Sequence, residues 1–433
     1  MKERKKFLTP PKLLLLLLVL STISLIASTY VTHGNNLELI YFQDYDTDRT
    51  LENIGMDLYN SMLFAEKEDY QSTSAVYPPL NYVFYGLLAR SVPAIEEDNS
   101  IDHDLRGSRL TTQEAIMTFL FVSMFCALLL LWTLQYLSKS IGWKMVLLSI
   151  VVLTCGPVLY VLERGNGVIF SVGLIGCFLL WFRSKNRILR ELALICLAVG
   201  VVIKIYPVVF GLLLLREKRW GESVRSILYG LILFLVPFAF VGGWASLKVY
   251  IASCLSDAVG LLGAYKMTGG GMRIDLDNIL QVIVRAFSLR GAVTARKLIL
   301  VILVIMPFFS RSKWRATSII SALCVLSPSF SFYYAACFYL LPMSLFLAEE
   351  EHRFMDYFYA IAFAAVLCVL PYGSVDFISS EITKALPISL TLVACNCGQL
   401  LLLLLLFIDF IRDIRAFLLT RLKKEQKIAV LAG

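Results

Sequence analysis

Charge is scarce in this chain of 433 residues: aspartate, glutamate, lysine and arginine together make up 17%, against about 25% in soluble globular domains. Histidine is scarcer still. His33, His103 and His352 stand far apart and leave a zinc site short of ligands. Cysteine is not short at ten residues, yet all but Cys254 lie in apolar segments, where a cysteine is most simply a small hydrophobe. No structural metal and no required disulfide is expected. Also missing are a G-x-x-x-x-G-K-[ST] nucleotide loop, a small-residue cleavage site after the first apolar run, and an obvious internal repeat. The last absence weakens an inverted-repeat transporter.

Apolar residues fill the space that charge leaves. They make up 58% of the chain, and the mean hydropathy is +0.74, which excludes a disordered chain, a disulfide-stapled secreted module and a cytosolic enzyme. Leu13 to Val31, Ala115 to Leu137, Trp143 to Leu162 and Leu386 to Ile408 are each long enough to cross a hydrocarbon core of about 30 Å as a helix. The class is an all-α polytopic membrane protein with one membrane domain over residues 1–433. The net charge of +8 then reports cytoplasmic loops and not nucleic acid.

Lys2, Arg4, Lys5, Lys6 and Lys12 precede the first apolar run, so it reads as a retained anchor with a cytoplasmic N-terminus. Residues 32–113 follow as a long first exterior loop, provided that Pro79 to Val92 lies on the membrane surface or re-enters. Basic clusters at Lys139 and Lys144, at Arg183 to Arg190, and at Arg311 to Arg315 then fall inside, as does the C-tail with Arg412, Arg415 and Arg421. Leu192 to Leu215 has strong basic clusters on both flanks. A single crossing would put one of them outside, so the segment reads as a broken re-entrant hairpin that turns at Lys204-Ile205-Tyr206-Pro207. A second long exterior stretch covers residues 242–297. The count is about 10 to 12 transmembrane helices, including the hairpin.

Polar chemistry gathers in the first exterior loop, which is too long for a simple connector. Asp44, Asp46 and Asp48 alternate along an extended segment and could bind a divalent cation as a group. Asp57 differs, because Ile54, Met56, Leu58, Tyr59, Met62 and Leu63 surround it. This segment reads as a helix against the membrane domain, where burial could raise the carboxylate's pKa toward that of a general base. Lys204, inside an apolar segment, is costly unless it works or snorkels to the interface. Arg164 sits where it could cap a helix end or pair with Glu163. Tyr265 to Arg273 offers three glycines with Lys266 and Arg273, either as a phosphate cradle or as a flexible linker.

Gly55-Met56-Asp57-Leu58-Tyr59-Asn60-Ser61-Met62, Tyr77-Pro78-Pro79-Leu80, Arg164-Gly165-Asn166 and Lys204-Ile205-Tyr206-Pro207 occur in that order over roughly half the chain. In this combination the sequence resembles the GT-C integral-membrane glycosyltransferases, in particular glycosyltransferase family 87. One departure is that Ser327-Pro328-Ser329 is followed by Phe332, Tyr333 and Tyr334, where some members place a histidine.

The resemblance implies a GT-C-like bundle whose first exterior loop carries a catalytic carboxylate. It also implies inverting transfer of a mannose-like hexose or pentose from a polyprenyl phosphate donor to a glycan or glycolipid acceptor of the cell envelope. Asp57 is the expected base, with Asp46 and Asp48 as alternates. Tyr77, Arg164, Asn166, Lys204, Tyr206, Lys266 and Arg273 are the expected substrate contacts. No cofactor is expected, since a lipid-linked phosphosugar needs no diphosphate-bound cation, though the option of a divalent cation stays open. The rival reading is a lipid-linked-sugar flippase or polytopic transporter. A carrier needs ionisable groups near the midplane, whereas here they concentrate in the first exterior loop.

Overall fold

In the computed structural model, the structure describes residues 8–33, 54–66, 77–92, 112–252, 273–276, 279–280, 292–328, 331–371, 373–377 and 386–432. Helices α1 (Pro10–Val31), α2 (Met56–Glu66), α3 (Pro79–Ala89), α4 (Gln113–Ser138), α5 (Trp143–Leu153), α6 (Gly156–Arg164), α7 (Val168–Trp181) and α8 (Arg187–Ile203) come first. A 3₁₀ segment (Tyr206–Gly211) leads into α9 (Leu212–Arg216) and α10 (Trp220–Leu235). After them come α11 (Ala292–Phe309), α12 (Lys313–Leu326), the 3₁₀ segment Tyr333–Tyr339, α13 (Leu340–Leu347) and α14 (Asp356–Leu367). A short ribbon of β1 (Ser374–Phe377) and β2 (Leu386–Ser389) precedes α15 (Leu390–Ala432).

Among the described residues, Pro10–Val31, Gln113–Ser138, Trp220–Phe240 and Leu390–Thr420 are long and apolar enough to cross a membrane. The pair α5 and α6 passes the same test as one span bent by 63°. Pro157 explains the bend, because it begins a new helix but cannot continue the old one. Gly156 sits at the joint, where a Cβ would lie 2.0 Å from the Tyr333 hydroxyl. α4 shows how the sequence sets the ends of its spans. The Thr112 hydroxyl accepts from the Ala115 amide at 3.3 Å, and Lys139 closes the other end in a left-handed conformation.

The hairpin expected at Leu192 to Leu215 is present in geometry. α8 climbs to Lys204, which breaks the helix with an extended backbone (φ −141°, ψ 124°), and the 3₁₀ segment and α9 return. The two feet meet, because Arg183 pairs with Glu217 and Arg219 Nη1 donates to the Phe182 carbonyl at 2.8 Å. Arg216 Nη2 then donates to the Ser310 carbonyl at 2.7 Å. The hairpin feet and the basic turn between α11 and α12 therefore share one end of the bundle. Near Arg315, Asp356 and Asp409 gather Arg315, Arg353 and Arg412 at 2.8–3.2 Å.

The all-α class stands, with the addition of a short ribbon that pairs Ser374 with Ser389 in antiparallel register. The last apolar run therefore enters its helix at Leu390 and not Leu386. The run Trp143 to Leu162 is bent and not straight. Part of the stretch 242–297 packs inside the protein. Arg273, Ile274, Asp275 and Leu276 thread into the bundle with at most 5% exposure, held by an Arg273–Phe332 bridge and a bond from the Ile274 amide to the Ser331 carbonyl.

Candidate active site

α2 presents Asp57 in its first turn, where a carboxylate favours the helix dipole. Its environment is made by the far end of α6. Arg164, in the last turn of that helix, donates through Nη2 to Asp57 Oδ1 at 2.8 Å and through Nε to Oδ2 at 3.1 Å. This two-point geometry is the strong form of an arginine–carboxylate bond. Gly165 then reverses the chain in a left-handed conformation (φ +63°), and a Cβ there would lie 2.9 Å from that of Leu58. Only glycine lets α2 and the end of α6 come this close. The Gly55 amide donates to the Glu163 carbonyl at 2.7 Å and completes the junction.

Asn166, 1% exposed, faces the same carboxylate. Its Oδ1 accepts from the Val168 amide at 3.0 Å, so its Nδ2 is turned toward Asp57 Oδ2, to which it donates. It also reaches the Tyr77 hydroxyl at 3.4 Å. Burial favours the neutral form of Asp57, but the charge and hydrogen bond of Arg164, with Asn166 and Lys204 behind them, win. The pKa lies below the usual aspartate value. This corrects the expectation of a raised pKa, because an apolar sequence neighbourhood conceals the cation that arrives from α6.

Lys204 stands at the tip of the hairpin, 9% exposed. Its ammonium lies 4.0 Å from the centre of the Tyr77 ring and 5.6 Å from that of Tyr334, a cation–π setting inside the protein. A cavity of about 280 Å³ opens here between Tyr77, Lys204, Tyr206, Ser331, Phe332 and Tyr334. Tyr160 stacks on Tyr334 at 5.8 Å and lies under the Arg164 guanidinium at 5.6 Å, which ties this aromatic wall to the ion pair.

On the other side of Asn166 runs an apolar groove of about 430 Å³ among α3, α4, α6, α7 and α8, lined by residues such as Phe84, Leu88, Phe121, Phe125 and Ile169. The site thus has a polar, aromatic chamber on one side and an apolar channel on the other. The groove reaches Asn166, which bonds Asp57, and the chamber reaches Lys204, whose charge acts on it.

Of the expected site residues, Asp57, Tyr77, Arg164, Asn166 and Lys204 come together, and Tyr206 lines the chamber. Arg273 makes a two-point bond to Asp275 at 2.8 and 2.9 Å and bridges Phe332, which lines the chamber. Asp46, Asp48 and Lys266 lie outside the described residues. Among those described, no three histidine, cysteine, aspartate or glutamate side chains gather as a metal would require.

Sequence reasoning missed Asn81, whose Nδ2 donates to the Ile203 carbonyl at 2.7 Å. This satisfies one of the acceptors that the break at Lys204 leaves open. It also missed Tyr334 as part of the chamber's wall and Tyr160 stacked behind it. The only signal for Tyr334 is its place shortly after Ser327-Pro328.

The sequence model of glycosyltransferase family 87 matches residues 76–328. Tyr77, Arg164, Asn166, Lys204 and Tyr206 lie inside the matched segment, and Asp57 lies upstream of it. No curated protein matches the chain.

Proposed function

Since the chain belongs to glycosyltransferase family 87, we propose that it moves a mannose-like hexose or a pentose from a polyprenyl phosphate to a glycan or glycolipid hydroxyl of the cell envelope, with inversion. The site faces the exterior, both termini are cytoplasmic, and the shorter apolar helices complete a GT-C-like bundle of about 10 to 12 crossings. The observation that carries this reading is the carboxylate of Asp57, set with two cations between an apolar groove and a polar chamber.

In the proposed reaction the isoprenoid tail lies in the groove beside Asn166 and the sugar enters the chamber beside Tyr77. The acceptor oxygen attacks C1 on the face opposite the phosphate, the C1–O bond to phosphate breaks, and the hydroxyl proton passes to Asp57. Arg164 and Lys204 balance the charge left on the departing lipid phosphate.

In the empty site Arg164 occupies both oxygens of Asp57. A phosphate that draws this guanidinium away frees a lone pair and raises the basicity of the carboxylate when the donor is present. Asp57 is the primary base, with Asp48 and Asp46 as alternates.

Purified protein incubated with a panel of polyprenyl-phosphate sugars and envelope lipids should release polyprenyl phosphate in an acceptor-dependent manner. Facilitated movement of the lipid-linked sugar across a vesicle membrane, without bond cleavage, would support the flippase alternative.

A further inference from the structure

Arg273 and Asp275 form an ion pair inside the protein, 5% and 0% exposed, through two bonds of 2.8 and 2.9 Å. The reaction proposed above gives this pair no part. A buried ion pair is weak evidence for stability, since apolar residues of similar volume often serve as well or better. What the pair holds is more informative. The Ser331 amide donates to Asp275 Oδ2 at 3.5 Å, the Ile274 amide donates to the Ser331 carbonyl at 2.8 Å, and Arg273 bridges Phe332. One short segment thus grips two consecutive residues that line the polar chamber.

The far end of this wall is tied to the same segment. Gln399 of α15 donates through Nε2 to the Ile274 carbonyl at 3.3 Å and accepts at Oε1 from the Tyr339 hydroxyl at 3.2 Å. Gln399 and Tyr339 are both fully buried. Ile274, Ser331, the 3₁₀ segment Tyr333–Tyr339 and Gln399 therefore close a ring of covalent and hydrogen bonds that fixes the wall at both ends. Between those ends Phe332 and Tyr334 line the cavity, with the Tyr334 ring 5.6 Å from the Lys204 ammonium. The Ser331 hydroxyl, beside them, is buried without a hydrogen-bond partner. An unpaired buried hydroxyl is costly, and a turn of its one side-chain torsion lets it meet a hydroxyl brought into the chamber.

We propose that Arg273 and Asp275 are positioning residues for sugar recognition: they set the wall of Ser331, Phe332 and Tyr334, which reads the sugar through the Ser331 hydroxyl and the aromatic rings. The proposal rests on the glycosyltransferase reading and deepens it by dividing the donor between two sets of groups. Arg164 and Lys204 meet the lipid phosphate, whose charge calls for cations. The wall offers aromatic surface and a neutral hydroxyl, which suit an uncharged sugar with C–H faces and polar edges. Loss of the ion pair therefore loosens the grip on the sugar and spares the grip on the phosphate.

The test measures equilibrium binding to the full chain in nanodiscs. The ligands are sugar-free polyprenyl phosphate and whichever of its mannose, glucose and arabinose forms the wild type binds most tightly. Arg273→Met/Asp275→Leu removes both charges without stranding either, so the thermal midpoint should stay close to that of the wild type. Kd for the sugar-bearing lipid should rise roughly tenfold in this variant, about the worth of one hydrogen bond, and Kd for the sugar-free lipid should stay within about twofold. Ser331→Ala leaves the ion pair in place and should raise only the sugar-bearing Kd, by roughly threefold or more. It judges the wall even where the double variant fails to fold. Equal losses for both lipids, or wild-type affinity for the sugar-bearing lipid in either folded variant, overturn the proposal. So does a wild type that binds no sugar-bearing form more tightly than the sugar-free lipid. A wild type that binds these lipids but transfers no sugar sinks the glycosyltransferase reading and leaves the affinity comparison to judge the wall.

Discussion

At the scale of single residues, the site is a competition for one guanidinium. Arg164 grips Asp57 at two points, and Lys204 waits 4.0 Å over the Tyr77 ring with no carboxylate bonded to its nitrogen among the described residues. Lys204→Met keeps length and flexibility but deletes the charge, so donor Kd should rise roughly 10- to 100-fold, the range for a charged hydrogen bond. Equilibrium binding of polyprenyl phosphate checks this, and an unchanged Kd returns Lys204 to a packing role.

The depressed pKa of Asp57 has a pH consequence. A carboxylate with a lowered pKa stays ionised until the pH falls through that value, so in the free enzyme its acid limb lies below the usual aspartate range. Once the donor phosphate takes Arg164, the limb should move up. The account therefore expects the acid limb of kcat at a higher pH than that of kcat/KM. Coincident limbs would show that the guanidinium stays on Asp57 throughout turnover.

At the scale of elements, two joints decide whether these groups meet. Gly165 allows α6 to end against α2, and Asn81 of α3 satisfies the broken end of α8. Gly165→Ala should cost at least about 1–2 kcal/mol for the left-handed backbone alone, with the Leu58 overlap in addition. Thermal unfolding in detergent reads the loss, and an unshifted midpoint would mean that α2 can move aside. Asn81→Leu leaves the Ile203 carbonyl open and should cost about 1–3 kcal/mol in the same assay, with reduced donor binding because the hairpin tip loosens.

The same joints mark how far the sequence could be read. Lys204-Ile205-Tyr206-Pro207 announced a break, since proline and a lone cation in an apolar run point the same way. The Arg164–Asp57 bond spans 107 positions and the Asn81–Ile203 bond 122, and no local pattern encodes partners at that distance. For that reason Asp57 was legible as a buried carboxylate, while its pKa was assigned the wrong direction. Arg273 and Asp275 stand two positions apart, yet nothing in the sequence shows that they bond to each other at two points.

At the scale of the whole molecule, the basic clusters act as an address. Arg183, Glu217 and Arg219 join the two feet of the hairpin, and Arg216 links them to the turn at Ser310. These contacts predict that cysteines at Lys185 and Lys218, both exposed, label from one side of the membrane, and that a cysteine at exposed Ser91 labels from the other. Equal access to all three from one side would contradict the proposed topology.

The most direct measurement is transfer by Asp57→Asn with donor binding followed in the same preparation. The exchange keeps size and most hydrogen bonds but removes the proton acceptor. Turnover should fall by roughly 10²- to 10⁴-fold, the range for loss of a general base, while polyprenyl-phosphate sugar still binds. Loss of transfer in Asp48→Asn or Asp46→Asn with near-normal transfer in Asp57→Asn would move the base within the first exterior segment. Near-normal transfer in all three variants of a preparation known to be active would contradict the carboxylate-base mechanism.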